Sequence, residues 1–105
     1  MKSIYIAGKV SGLPIERVLK KFASAQSEIE DLGFKAINPI AVVNDWQCDW
    51  HTAMKKCIKA LMDCDAVVVL DDYKTSDGAK LELELSKRMG ILIFYGVDDL
   101  TKYKI

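Results

Sequence analysis

Cys64-Asp65-Ala66-Val67-Val68-Val69-Leu70-Asp71-Asp72-Tyr73-Lys74-Thr75-Ser76-Asp77-Gly78-Ala79-Lys80-Leu81-Glu82 is the stretch on which the fold turns. Ala66 to Leu70 is an unbroken apolar, β-branched run, so it predicts a strand buried on both faces, as in a parallel sheet. Asp71 to Asp77 is polar and reads as a loop. Ser76 or Asp77 then serves as N-cap for a helix from Gly78 to Met89, which Gly90 closes. A doubly buried strand that feeds a helix is half of a crossover unit, and the rest of the chain must supply its parallel neighbours.

Ser3-Ile4-Tyr5-Ile6-Ala7, ended by Gly8, and Ile91-Leu92-Ile93-Phe94-Tyr95 are two further apolar strands. Between the first of these and the central run, Val18, Phe22, Ala25, Ile29 and Leu32 recur at helical spacing, giving a helix of about Ile15 to Leu32 with Gly33 as its C-cap. Phe34 to Asn38 reads as a strand stopped by Pro39, and Ala41 to Cys48 as a loop on the active-site side, with room for a helical turn. From about Trp50, the residues Met54, Cys57, Ile58, Leu61 and Met62 line one face of a helix that ends before Ala66. The tail, Val97 to Ile105, reads as a short helix or an edge element. This alternation predicts an α/β, three-layer sandwich of the flavodoxin-like or Rossmann-like kind. Four parallel strands in the order 2-1-3-4 carry helices on both faces, and residues 1–105 form a single domain.

Half of the 105 residues are hydrophobic, enough for one core. Fifteen Lys and Arg balance fifteen Asp and Glu, and basic runs do not exceed pairs such as Lys20-Lys21. That leaves no electrostatic footprint for duplex nucleic acid and points to a small-molecule partner. No stretch approaches the roughly 18 to 20 apolar residues of a membrane span, and the N-terminus turns polar too early for a signal peptide, so a cytoplasmic location is expected. Cys48, Cys57 and Cys64 are odd in number and lack Cys-x-x-Cys spacing, which suits reduced thiols. Cys48 and His51 could give two metal ligands, but no second pair completes a site, and no metal or cofactor is expected.

In an open parallel sheet, ligands bind outside the carboxyl ends of the strands where the order reverses, here between the first and third strands. Gly8-Lys9-Val10-Ser11-Gly12 would then face Asp71 to Glu82. Gly8 and Gly12 permit close backbone approach, and Lys9 and Ser11 offer a cation and a hydroxyl for a phosphate or sugar. Trp46, Trp50 and Tyr5 could stack on a nucleobase. On the last long helix, Glu84 lies beside Lys80, Lys87 and Arg88 as a solvated surface acid, whereas Glu82 shares a face with Gly78, Leu85 and Ser86. Burial would raise the Glu82 pKa and the helix dipole would lower it, and the sequence does not decide between them.

Tyr5-Ile6-Ala7-Gly8 with Ser11-Gly12, then Asn38-Pro39, then Cys64-Asp65-Ala66-Val67-Val68, then Ser76-x-Gly78-Ala79-x-x-Glu82 resemble the nucleoside 2-deoxyribosyltransferase-like superfamily, especially its small bacterial and phage members. The resemblance spans about residues 3–95. It implies cleavage of an N-glycosidic bond, or deoxyribosyl transfer, on a nucleoside or nucleotide. Glu82 would attack the anomeric carbon. It further implies contacts from Gly8, Ser76 and Gly78 to the sugar or 5′-phosphate, places Asn38 with the substrate-binding residues, and leads one to expect a homo-oligomer. Two positions depart from the pattern. Cys57 stands where active relatives tend to carry an aspartate, and Lys9 is the nearest cation where monophosphate hydrolases carry an arginine near Ser11. A thiol in place of an acid also fits a second class of function, a non-catalytic module of the same fold that senses or sequesters a nucleotide.

Overall fold

The computed structural model describes residues 2–103. Its elements run β1 (Ser3–Ala7), α1 (Ile15–Asp31), β2 (Lys35–Ile37), α2 (Pro39–Val43), α3 (Trp50–Met62), β3 (Ala66–Val69), a 3₁₀ turn (Asp71–Thr75), α4 (Asp77–Arg88), β4 (Leu92–Tyr95) and α5 (Val97–Leu100). All strand pairs are parallel, and the sheet order is β2-β1-β3-β4. Register pairs Tyr5 with Ile37 on one side and with Val67 on the other, so β1 and β3 are flanked by strands on both edges. That accounts for their lack of polar alternation.

Side chains alternate across each strand and sort the core into two layers. Ile4, Ile6, Ala66 and Val68 pack with Val18, Phe22, Ala25 and Ile29 of α1 and with Leu100 of α5. Tyr5, Ala7, Val67 and Val69 face the opposite way, against Cys57 and Leu61 of α3 and Leu83 of α4. β1 therefore delivers Tyr5 to the α3–α4 layer by parity alone.

The expected α/β sandwich with strand order 2-1-3-4 is the one observed. Some local boundaries differ. β2 is shorter than Phe34 to Asn38, because Asn38 turns outward to cap α2: its Oδ1 accepts from the Ile40 amide at 2.9 Å, with Pro39 at the first helical position. The segment after Pro39 is thus helical through Val43, and the loop begins at Asn44, in the left-handed region at φ 49°. The polar stretch after β3 winds into the 3₁₀ turn, and α4 starts at Asp77 with Ser76 as its cap. The tail begins as α5, while Lys104 and Ile105 lie outside the described residues.

Candidate functional site

β1 and β3 are the adjacent strands between which the connections diverge to opposite edges of the sheet. A cavity of about 570 Å³ opens at their carboxyl ends. Three segments build it: Gly8 and Val10 to Leu13 after β1, Thr75 to Ala79 with Glu82 after β3, and a third wall from α2, the following loop and α3 that carries Asp45, Trp46, Trp50 and Cys57. The chain reaches Gly8 with little clearance, since a Cβ there would stand 2.8 Å from Leu70 Cδ1. Gly12 turns the loop at φ +86°, a conformation that side chains disfavour. At Gly78 a Cβ would meet Met54 Sδ at 3.0 Å, so the start of α4 packs directly against α3.

Glu82 is 5 % exposed, the single charged side chain in the buried core of the described residues. The Tyr5 hydroxyl donates to its Oε2 at 2.5 Å. No hydrogen bond reaches Oε1 among the described residues, and no buried side-chain oxygen or nitrogen there lacks a partner, so Oε1 is open to the cavity. Burial pushes the Glu82 carboxyl up to about 7, although the Tyr5 hydrogen bond pulls the other way. The competition the sequence left open is thus decided by desolvation. Tyr5 is itself driven well above its ordinary value by burial and by the neighbouring carboxylate, and it remains a donor at all ordinary pH. Cys57 is also buried, and burial pushes its thiol up to about 11 while a hydrogen bond to Tyr5 opposes that rise. One turn beyond, the Ser86 hydroxyl donates to the Glu82 carbonyl at 2.7 Å and fixes the helix behind the site. Glu84 by contrast pairs with Arg88 at 2.9 Å on the surface.

Of the residues singled out in the sequence, Tyr5, Gly8, Ser11, Gly12, Trp46, Ser76, Gly78 and Glu82 line the cavity together. The Tyr5 ring is wholly buried, leaving no face on which a base could stack; it acts through its hydroxyl. Trp46 and Trp50 are 52 % and 43 % exposed, and the Trp50 ring stands perpendicular to that of His51 with centroids 5.4 Å apart. Ser76 Oγ accepts from the Ala79 amide at 3.1 Å and still has its own proton to donate. Lys9 and Asn38 are not in the lining. The Lys9 ammonium donates to Thr75 Oγ1 at 3.1 Å, and the Asn38 amide donates to Gln26 Oε1 at 3.2 Å.

Sequence reasoning missed the pairing of Tyr5 with Glu82, whose signal was parity: a β1 side chain facing the second layer, beside an acid one turn into the helix that follows the neighbouring strand. It also missed Asp72. This residue accepts from the Lys9 amide at 3.0 Å and from Lys21 Nζ at 2.6 Å, tying the loop after β1 to the turn after β3. Burial alone would push its carboxyl up, but Lys21 and the Lys9 amide outweigh that and hold it below the usual carboxylate range. Among the described residues no group of three or more His, Cys, Asp and Glu could hold a metal ion, and no helix is long and apolar enough to cross a membrane.

Residues 2–95 match a family described as "Domain of unknown function (DUF4406)". The chain belongs to this family. DUF4406 thus covers all four strands and the whole cavity lining. No curated protein matches the chain in sequence. A 2-deoxyribosyltransferase from Leishmania mexicana is similar in structure, with a TM-score of 0.69 at 18 % identity over 90 % of this chain. The chain spans 63 % of the length of that protein. At this identity the likeness is one of fold, and it extends to nearly the whole DUF4406 domain.

Proposed function

We propose that this protein cleaves the N-glycosidic bond of a nucleoside or nucleotide, by hydrolysis or by deoxyribosyl transfer, with Glu82 as nucleophile. The observation that carries this reading is the Glu82 carboxyl itself. One oxygen is held by Tyr5 and the other is open to the cavity, with its pKa raised to about 7 by burial. A carboxylate so placed can approach an anomeric carbon, stabilise the oxocarbenium-like transition state and form a glycosyl ester. As the sugar–nitrogen bond breaks, its electron pair leaves with the base; water or an acceptor base then takes the sugar from Glu82. Trp46 and Trp50 flank the base, and the Ser76 hydroxyl and the glycine-rich turn after β1 hold the sugar. The fold likeness to a 2-deoxyribosyltransferase supports the same reading. A homo-oligomer belongs to this proposal, and light scattering tests it directly.

Nucleophilic attack needs the ionised carboxylate, so kcat/KM rises as pH passes about 7. The test is chromatographic detection of free base from a panel of deoxynucleosides and their 5′-monophosphates, with Glu82→Gln run in parallel. Base release by the wild type and its loss in the variant supports the assignment. Equal release by both excludes Glu82 as nucleophile.

Cys57 favours a second reading. A thiol pushed up to about 11 is a poor proton carrier near neutrality. A cavity whose carboxyl lacks a well-matched acid–base partner suits a module that binds a nucleoside or nucleotide without turnover. Ligand-induced thermal stabilisation without base release would select this alternative.

A further inference from the structure

The residues that line the cavity include three acids, Asp45, Asp77 and Glu82, and no Lys, Arg or His; Asp45 Oδ1 also accepts from the Gln47 amide at 3.0 Å. Of the cations around the cavity, Lys9 and Lys21 are hydrogen-bonded within the protein. Lys9 Nζ sits against Thr75 Oγ1, and Lys21 Nζ is held by Asp72 at 2.6 Å. The N-terminus of α4 would ordinarily attract an anion, but Asp77 in its first turn places a negative charge at that spot. Lys80 offsets Asp77 only weakly, at 3.8 Å with both side chains largely in solvent. Trp46 and Trp50 are among the lining residues, and an indole face attracts positive charge.

We infer that this cavity selects its ligand by charge, excluding phosphate and preferring a nucleoside whose base is positively charged to one whose base is neutral. The inference rests on the nucleoside reading of the same site and narrows it. A phosphate dianion would sit among like charges, with Lys9, beside Thr75 at the edge of the lining, as a nearby counter-charge. A cationic base meets the carboxylates and the indoles together. Such a base also simplifies the chemistry. When Glu82 forms its bond to the anomeric carbon and the sugar–nitrogen bond breaks, the electron pair neutralises the base. The base then leaves uncharged and no proton has to be delivered, which removes the demand on Cys57.

The test uses an adenine and a cytosine series of deoxynucleosides. Each comprises the neutral nucleoside, its ring N-methylated cation and its 5′-monophosphate. Binding to the Glu82→Gln protein, which blocks turnover, is measured by calorimetry at pH 7 and low salt. In at least one series the cation is expected to bind about tenfold tighter than the neutral nucleoside, and the monophosphate about tenfold weaker, as one or two unit charges near a partly solvated site would give. Added salt compresses the order, and Asp45→Asn combined with Asp77→Asn abolishes most of it. A monophosphate that binds as well as its nucleoside overturns the inference, as does a cation preference that survives the double substitution. Binding of none of the six overturns the site reading and this inference with it. If the expected order appears but the wild type releases base from no compound, charge selection stands and the cleavage reading falls.

Discussion

Replacing Glu82 by Gln should stabilise the protein at neutral and alkaline pH, by an amount that grows with pH in a defined window. The unfolded carboxyl has its ordinary value of 4.5, and in the folded protein burial raises it to about 7. Below pH 4.5 the group is protonated in both states and costs nothing. Between the two values the unfolded chain releases the proton while the folded chain retains it, so wild-type stability falls as pH rises. Above the folded value the loss is complete, and the gap corresponds to about 3 kcal/mol. Gln keeps the shape and an oxygen for the Tyr5 hydroxyl but does not titrate. Tyr5 and Cys57 both ionise above this window and do not mask the effect. Urea unfolding of both proteins, followed by circular dichroism at intervals from pH 4 to 8.5, isolates the Glu82 contribution as a difference of differences. The Gln variant should gain about 3 kcal/mol relative to wild type between the two ends, a melting shift on the order of 10 to 20 °C for a domain of this size. A difference that stays constant with pH would refute the claim that desolvation dominates at Glu82.

Tyr5→Phe removes the hydroxyl that favours the ionised carboxylate. The activity limb near pH 7 should move to higher pH, and stability should fall by about 1 to 2 kcal/mol at pH 8 and by less at pH 5, both measurable on the purified variant. Asp72→Asn takes the negative charge from Lys21 and weakens the tie to the Lys9 amide. It should cost about 1 kcal/mol at pH 7 in urea unfolding, and because the folded carboxyl is held below 3.8 the difference should shrink as pH falls below that value. Gly8→Ala puts a Cβ 2.8 Å from Leu70 Cδ1 and 3.2 Å from Leu70 Cβ, and the latter cannot rotate away. Thermal melts should show a loss of about 1 to 3 kcal/mol.

The fold was legible because its cues are local and redundant. Val67, Val68 and Val69 make a doubly buried strand whatever surrounds them, and Gly33 and Gly90 stop their helices through backbone conformation alone. The boundaries that shifted lie where two local signals compete. Pro39 ends a strand and also opens a helix, and Asn38 ahead of it is an N-cap only if the chain turns there. The position of the cavity followed from strand order. Its electrostatics did not, because the environment of Glu82 depends on Tyr5, 77 residues away, and on the depth to which α3 and α4 bury both. Lys9 shows the same limit. Close in sequence to two candidate ligand residues, it does not itself line the cavity, and its ammonium is bound to the lining residue Thr75.

Cys57 belongs to the core and to the cavity wall at once. Its place on the apolar stripe of α3 is what a core residue needs, and it does pack with Leu61, Val67 and Leu83. The same position borders the cavity beside Tyr5 and Glu82, so one side chain belongs to both the core and the site. A second carboxyl here would be buried against Glu82, and two like charges in one desolvated pocket would drive at least one pKa further upward. The thiol avoids that repulsion and leaves Glu82 near neutrality, with its ionisation set by desolvation and by Tyr5 alone. The arrangement therefore trades a candidate proton donor for a proposed nucleophile whose pKa stays at about 7. Such a trade is most useful for a substrate whose leaving group needs no proton, which is the class of base that the acidic, cation-free lining would also attract.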